Sequence, residues 1–248
     1  MDKNRIDILT TAILRPEILE KTYASFSKHM FKEHEHWLYL NIDPLGEANP
    51  KDVLGVATMY FKLVHINMGD KPNCTEAWKW CWKHCEADIV LWLEDDWELL
   101  KEVDLDAIIK LMTDYPELGG IRLPKRDIKG NEFVIGHVGN NRYAMTYNEE
   151  MGLFEMPDKG KASYAITGNP CFYNGKLLRS LAPLLDPAHP HHPEKYLRYN
   201  AQASKIISQY RYGVYGKPND TKYVIDIGYD WRAKQGFIKK SNGRGWKK

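Results

Sequence analysis

Ile89-Val90-Leu91-Trp92-Leu93-Glu94-Asp95-Asp96-Trp97 is an unbroken apolar run that stops on three consecutive carboxylates. Five apolar residues without polar alternation have the length of a strand buried on both faces, as in a parallel sheet. Three adjacent acids at the end of such a strand repel one another unless a proton or a cation intervenes. Strand alternation predicts Glu94 and Asp96 on one side and Asp95 on the other. A pair of oxygen-bearing side chains on one side suits a hard divalent ion, Mn²⁺ or Mg²⁺, with positions left open for phosphates. Acid-rich turns also serve as helix caps or surface ion pairs. Placement at a strand's carboxyl end, where open α/β sheets bind ligands, favours a site.

Strand and helix patterns alternate upstream of this run. Ile6 to Thr11 reads as a strand, and Pro16 opens a helix whose apolar face is Ile18, Leu19, Tyr23 and Phe26. Trp37 to Ile42 is a second strand, stopped by Asp43-Pro44, and Phe61 to Ile66 is a third. Asn73 with Glu76 resembles a capping box, and the helix behind it sets Trp78, Cys81, Trp82 and Cys85 on one core-facing stripe. This order predicts an α/β fold with an open, mostly parallel sheet flanked by helices.

The second half is less regular. A helix over Leu105 to Met112 and a strand over Gly119 to Leu123 are expected, then loops or an antiparallel ribbon across 125–165. Ala165 to Tyr173 reads as a strand leading into a helix at 175–182. Pro183 to Pro193 is a loop carrying His189, His191 and His192, and Pro193-Glu194 opens a helix running to about Tyr210. No repeat or linker divides the chain.

With 248 residues, the chain can bury a core without disulfides or a structural metal. The four cysteines have no secreted spacing and read as reduced thiols. The N-terminus enters a strand without a signal-type apolar segment, so a cytoplasmic location is expected, the host cytoplasm for a phage-encoded chain. Net charge is +2, but residues 231–248 hold seven Lys or Arg and no acid, interleaved with Trp231, Phe237 and Trp246.

The ordered set of a Leu9-Thr10-Thr11 strand end, an Asn41-Ile42-Asp43-Pro44 strand end and the Glu94-Asp95-Asp96 strand end resembles GT-A (Rossmann-like) glycosyltransferases, particularly the family-two-like group. The resemblance is good over roughly the first 100 residues and looser beyond. It implies a metal-dependent transferase moving a sugar from a nucleoside diphosphate sugar, a UDP-sugar for instance, to an acceptor hydroxyl, with inversion where Glu194 is the base and retention where it is not. By position, Asp96 becomes the metal ligand, Glu94 holds ribose or sugar, and Asp95 assists. Glu94 stands where the family has Asp. Thr10, Thr11 and Arg15 fall in the nucleotide pocket and Asp43 near the base or ribose. Taken singly, each of these residues has an ordinary structural explanation.

On the acceptor side, the resemblance makes Glu194 the catalytic base, although a carboxylate also suits a helix N-terminus without any catalysis. Gly168 and Asn169 resemble the family's acceptor loop. His192 is a candidate further metal ligand. His191 and His192 cannot both point one way in an extended loop, and a solvated His-Pro loop is the simpler account of them. The resemblance divides residues 1–230 into a nucleotide-sugar half (1–100) and an acceptor-side half (101–230), followed by the basic aromatic tail, 231–248. Such a tail suits a nucleic-acid acceptor, for example a hydroxymethylated base in DNA as in some phage enzymes, or contacts to the donor diphosphate by Arg232, Lys234 or Lys239. The rival functions are a nucleotidyltransferase, disfavoured because no glycine-rich loop follows the first strand, and a non-catalytic nucleic-acid-binding protein.

Overall fold

A computed structural model describes residues 5–31, 36–138, 141–158, 164–189, 192–236, 238–239 and 246–247. Its first half alternates strand and helix: β1 (Ile6–Leu14), α1 (Pro16–Phe26), β2 (His36–Gly46), α2 (Pro50–Tyr60), β3 (Leu63–Met68), α3 (Cys74–His84) and β4 (Ile89–Trp92). There follow β5 (Trp97–Leu99), α4 (Leu105–Asp114), β6 (Leu118–Arg122), β7 (Glu132–Val138), β8 (Asn141–Asn148), β9 (Leu153–Glu155) and β10 (Cys171–Asn174). The remainder is α5 (Gly175–Leu181), α6 (Pro193–Tyr199), α7 (Ala201–Ile207), β11 (Arg211–Tyr215), β12 (Val224–Asp226), α8 (Gly228–Lys234) and a short β13–β14 pair, Ile238–Lys239 with Trp246–Lys247.

A ten-stranded sheet in the order β3-β2-β1-β4-β10-β6-β11-β9-β8-β7 forms the middle layer. The block β3-β2-β1-β4 is parallel, β10 runs antiparallel between β4 and β6, and β7, β8 and β9 form the expected antiparallel ribbon. Both faces are covered, which is why the strands lack polar alternation. Ile89, Leu91 and Leu93 join α1, α2 and α4 in one core cluster, whereas Val90 and Trp92 join α3, α5, α6 and α7 in the other. Trp78, Cys81, Trp82 and Cys85 are all buried, with Trp78 and Trp92 ring centroids 4.5 Å apart, so the α3 stripe is core.

Several elements differ from expectation. α2 went unread, although Asn49 and Asp52 form a full capping box, and β3 begins at Leu63 rather than Phe61. At α3 only half of the box exists. Asn73 Oδ1 accepts from Glu76 N, while the Asn73 backbone N–H donates to Asp43 Oδ2 at 3.1 Å. The segment 165–170 is irregular rather than strand, and the helix expected to reach Tyr210 breaks at Asn200, which caps α7 through Ala203 N. The expected boundary at residue 231 falls inside α8.

Phe172 lies on the central antiparallel strand and is fully buried. Phe172→Ala should cost about 3–5 kcal/mol in urea unfolding. Met59→Ala, on the 63% exposed Met59, should stay within about 0.5 kcal/mol. Comparable losses at both positions would contradict the burial of the sheet between two helical layers.

Candidate functional site

The parallel strands β1, β2, β3 and β4 end on one edge, and the acids gather there. β4 stops at Trp92, but its pairing with β1 continues through Leu93 N to Leu9 O and Asp95 N to Thr11 O. Asp95 and Asp96 then occupy a turn, and the alternation expected of a strand does not hold between them. Asp95 and Asp96 both meet Arg15. Its Nε donates to Asp95 Oδ2 at 2.9 Å, and its Nη2 reaches Asp95 Oδ1 at 2.5 Å and Asp96 Oδ2 at 2.9 Å. Ile13 N–H donates to Asp95 Oδ2 at 3.0 Å, so both Asp95 oxygens are used.

Burial opposes the charge on Arg15, yet Asp95 and Asp96 outweigh it and hold the guanidinium pKa above its ordinary value. Burial raises Asp95, and Arg15 offsets that only in part. Asp95 thus acts as the anchor of Arg15, and Arg15 anchors the triplet instead of pointing into open space.

The C-terminal segment closes over Asp96. β12 pairs antiparallel with β5, and Ile227 N–H donates to the Asp96 carbonyl at 2.8 Å. That sets α8 against the acids: a Cβ on Gly228 would lie 2.2 Å from Asp96 Oδ2. From α8, Arg232 Nη1 donates to Asp96 Oδ2 at 2.6 Å, and its Nη2 donates to both Asp226 oxygens. Trp231 Nε1 donates to Glu17, and its ring lies 5.3 Å from the Arg15 guanidinium carbon. Trp231 and Arg232 are therefore built into the acidic edge. Phe237, residues 240–245 and Lys248 lie outside the described residues.

The divalent ion implied by the resemblance meets this filled place. Asp96 Oδ2 already accepts from two guanidinium groups and Asp96 is 6% exposed. Among the described residues, no three or more His, Cys, Asp or Glu side chains are gathered to hold a metal, and Asp96 and His192 do not share such a group. As arranged, the residues do not fit the ion. His192 stands at the head of α6 in the left-handed region (φ 65°), and His191 lies outside the described residues.

Glu94 faces the loop that carries Gly168. A Cβ on Gly168 would sit 2.8 Å from Glu94 Oε1, and Gly168 N–H donates to Glu194 Oε1 at 3.1 Å. One glycine backbone therefore separates the acid at a strand end from the acid at the head of α6. Burial first, then the charges of Asp96, Glu194 and Asp95, push Glu94 well above its usual 4.5. Burial raises the thiol of Cys74, which opens α3, and the charges of Glu94, Glu194 and Asp43 raise it further. Asn169 accepts from Lys125 Nζ at 3.0 Å. Burial, Arg122 and Arg126 lower Lys125, while Asp226 and Glu194 counter them.

Of the remaining expected donor residues, Thr10 is fully buried, which turns its hydroxyl into the core, whereas Thr11 is part-exposed at the edge. Asp43 accepts from Asn41 Nδ2 at 3.0 Å and from Asn73 N, and Asn67 Nδ2 donates to Asn41 Oδ1 at 2.6 Å. Asn41 and Asn67 are register partners on β2 and β3, a pairing visible in the sequence as an Asn near the end of each strand. These two, with Asp226, Gly228 and Trp231, were not singled out as site residues beforehand.

No family model and no curated protein matches the chain. Solved structures do. Staphylococcus aureus TarS 1–349 in complex with UDP superposes with a TM-score of 0.60 at 13% identity, over 89% of this chain and 59% of that one. Staphylococcus aureus TarS gives 0.57 at 13% over 92% and 38%, and the UDP-GlcNAc complex of the 1–349 fragment gives 0.52 at 14% over 88% and 57%. This chain spans between 38% and 59% of the length of these structures. The likeness establishes the fold: an α/β GT-A architecture.

Asp95→Asn leaves buried Arg15 short of its main counter-charge and should cost about 3–5 kcal/mol in urea unfolding. Asp226→Asn, at a more exposed pair, should cost within about 1 kcal/mol. Equal costs would refute the anchoring role of Asp95. Arg232→Ala should bind Mn²⁺ more tightly than the wild type, read from the electron paramagnetic resonance of free Mn²⁺. Equal affinities would show that the guanidinium does not compete with a cation for Asp96.

Proposed function

We propose that this protein transfers a sugar from a nucleoside diphosphate sugar, a UDP-sugar in the first instance, to an acceptor hydroxyl with inversion. The observation carrying this reading is the meeting of Glu94 and Glu194 across Gly168 at the carboxyl ends of parallel strands. It supplies a carboxylate on the acceptor side next to the edge where such sheets take nucleotides. The fold shared with structures that hold UDP and UDP-GlcNAc supports the choice of donor.

The nucleoside lies along the β1–β2–β3 strand ends, where Thr11, Asp43, Asn41 and Asn67 offer oxygen and amide partners. Glu94 faces the sugar. Arg232 is the one guanidinium of the site carried on the C-terminal helix, and it exchanges Asp226 for diphosphate oxygens as the donor enters. Its charge then stabilises the anion that develops as the bond from the anomeric carbon to the diphosphate oxygen breaks. Glu194 takes the proton of the acceptor hydroxyl, and that oxygen forms the new bond to the anomeric carbon from the opposite face. The Gly168 N–H holds the Glu194 carboxylate in place for this step.

A panel of nucleotide sugars, with and without Mn²⁺, tests the donor half through release of nucleoside diphosphate. Binding and cleavage of none of them would overturn the proposal. Glu194→Gln should lower transfer by about 10²–10⁴-fold while UDP binding persists. Retained transfer in that variant would remove Glu194 as the base.

A further inference from the structure

The ten-stranded sheet ends on β3 at one side and on β7 at the other. β7 carries the exposed Glu132, and its register with β8 slips between Val134 and Gly136. Charges and bulges of this kind keep open edges from pairing with other chains. β3, Leu63-Val64-His65-Ile66-Asn67-Met68, has neither. Among the described residues it pairs with β2 alone, in unbroken register from Trp37 with Leu63 to Ile42 with Met68. No Lys, Arg, acid, Pro or Gly interrupts its six residues, so nothing within the strand guards its outer row of N–H and C=O groups.

Alternation divides the side chains of β3 between two faces. On one face, the His65 ring stacks on Tyr39 at a centroid distance of 4.6 Å, and Asn67 Nδ2 donates to Asn41. On the other, Val64, Ile66 and Met68 are register partners of Leu38, Leu40 and Ile42, which share a core cluster with Val53 and Ala57 of α2. Val64 packs against that cluster, whereas Ile66 is 41% exposed and Met68 54%. Of the eight large apolar or aromatic side chains exposed among the described residues, Leu63, Ile66 and Met68 lie on β3. Two more, Leu45 and Met59, lie on β2 and α2, the elements that touch it. Such a concentration along an unguarded edge marks a surface that another protein chain covers.

The flanks say which chain. Lys62 precedes β3 and Asp70 follows it, both exposed, with Lys71 one residue beyond. We propose that β3 is the interface of a symmetric homodimer, in which the edge strands of two copies pair antiparallel about a two-fold axis at Ile66. That register sets Ile66 against Ile66, Val64 against Met68 and Lys62 against Asp70, the last two pairs occurring twice. All of these residues fall on the same face, and Lys71 lies outside the charged pair. Outward backbone groups recur every second residue, so the neighbouring registers are two residues away. They set Asp70 against Val64 or Tyr60 and lose both ion pairs. The two sheets become one continuous sheet, and the apolar edge leaves water.

Sedimentation velocity of the full chain over a concentration series tests the dimer. The wild type should sediment as a dimer that dissociates on dilution. Ile66→Lys brings two ammonium groups together on the axis and should leave a monomer. Lys62→Asp and Asp70→Lys each turn two opposite-charge pairs into two like-charge pairs. Each should raise the dissociation constant by about 10-fold, and the chain carrying both changes should return to the wild-type value. Hydrogen exchange at the outward amides of β3 should slow between dilute and concentrated wild type, and stay the same in Ile66→Lys. Circular dichroism and thermal melts establish that the variants fold. A wild type that is monomeric throughout, leaving the strand to a different partner or to none, overturns the proposal. So does a dimer indifferent to Ile66→Lys, which would lie on another surface, or a double swap no tighter than either single one.

Discussion

The ion pair between Arg15 and Asp95 is the constraint on which the acidic edge depends. Arg15 closes β1 just before Pro16 starts α1, and Asp95 sits in the turn after β4, so the pair locks two neighbouring strand ends together. Thr22 Oγ1 adds a bond from α1 to the Asp95 carbonyl at 2.8 Å. Buried pairs of this kind lose about as much hydration energy as they gain in attraction. Their contribution is therefore geometric: either partner alone is badly placed, and together they permit one arrangement. With Asp95 consumed and Asp96 shared, Glu94 is the acid of the three that faces Gly168 and Glu194, where burial and the neighbouring acids favour its protonated form.

The C-terminal segment completes the edge rather than trailing from it. β12 pairing with β5 fixes the direction of the chain, and Gly228 lets the helix backbone come against Asp96 where any side chain would collide. Arg232 then spans Asp96 and Asp226. A guanidinium shared between two carboxylates at a site rim is held by competing partners, and phosphate oxygens offer it the same bidentate geometry. The residue that neutralises Asp96 and Asp226 is thus the one to which the proposed function gives the donor diphosphate.

The parallel half of the fold was legible because burial on both faces leaves a plain mark: Ile89 to Leu93 could not be a surface strand. The Trp78-Cys81-Trp82-Cys85 stripe likewise reported a core-facing helix. What was not legible depended on contacts distant in sequence. Nothing local in Asp95 distinguishes an anchor from a ligand, since its role is set by Arg15, 80 residues away. Alternation failed at Glu94–Asp96 because the strand had already ended at Trp92. The full capping box of Asn49 with Asp52 was overlooked beside the half box of Asn73, whose backbone N–H is claimed by Asp43 instead. Arg232 was read as part of a basic tail and as a candidate diphosphate contact, but its pairing with Asp96 and Asp226 was not legible, because charge counting ignores the acids it meets in space.

Asn73 shows how the two substrate sides are joined. Its side chain caps α3 through Glu76 N and also holds the Pro187 carbonyl, while its backbone N–H holds Asp43. Asp43, the cap of α3 and the loop that leads into His189 and α6 are thereby linked through one residue. Gly168 forms the second link, with Glu94 against its Cα and Glu194 on its N–H. Two carboxylates positioned through a single peptide cannot move independently. In the proposed transfer, Glu194 as base is therefore oriented by the same backbone that meets Glu94, which is the condition an in-line displacement places on its two reacting partners.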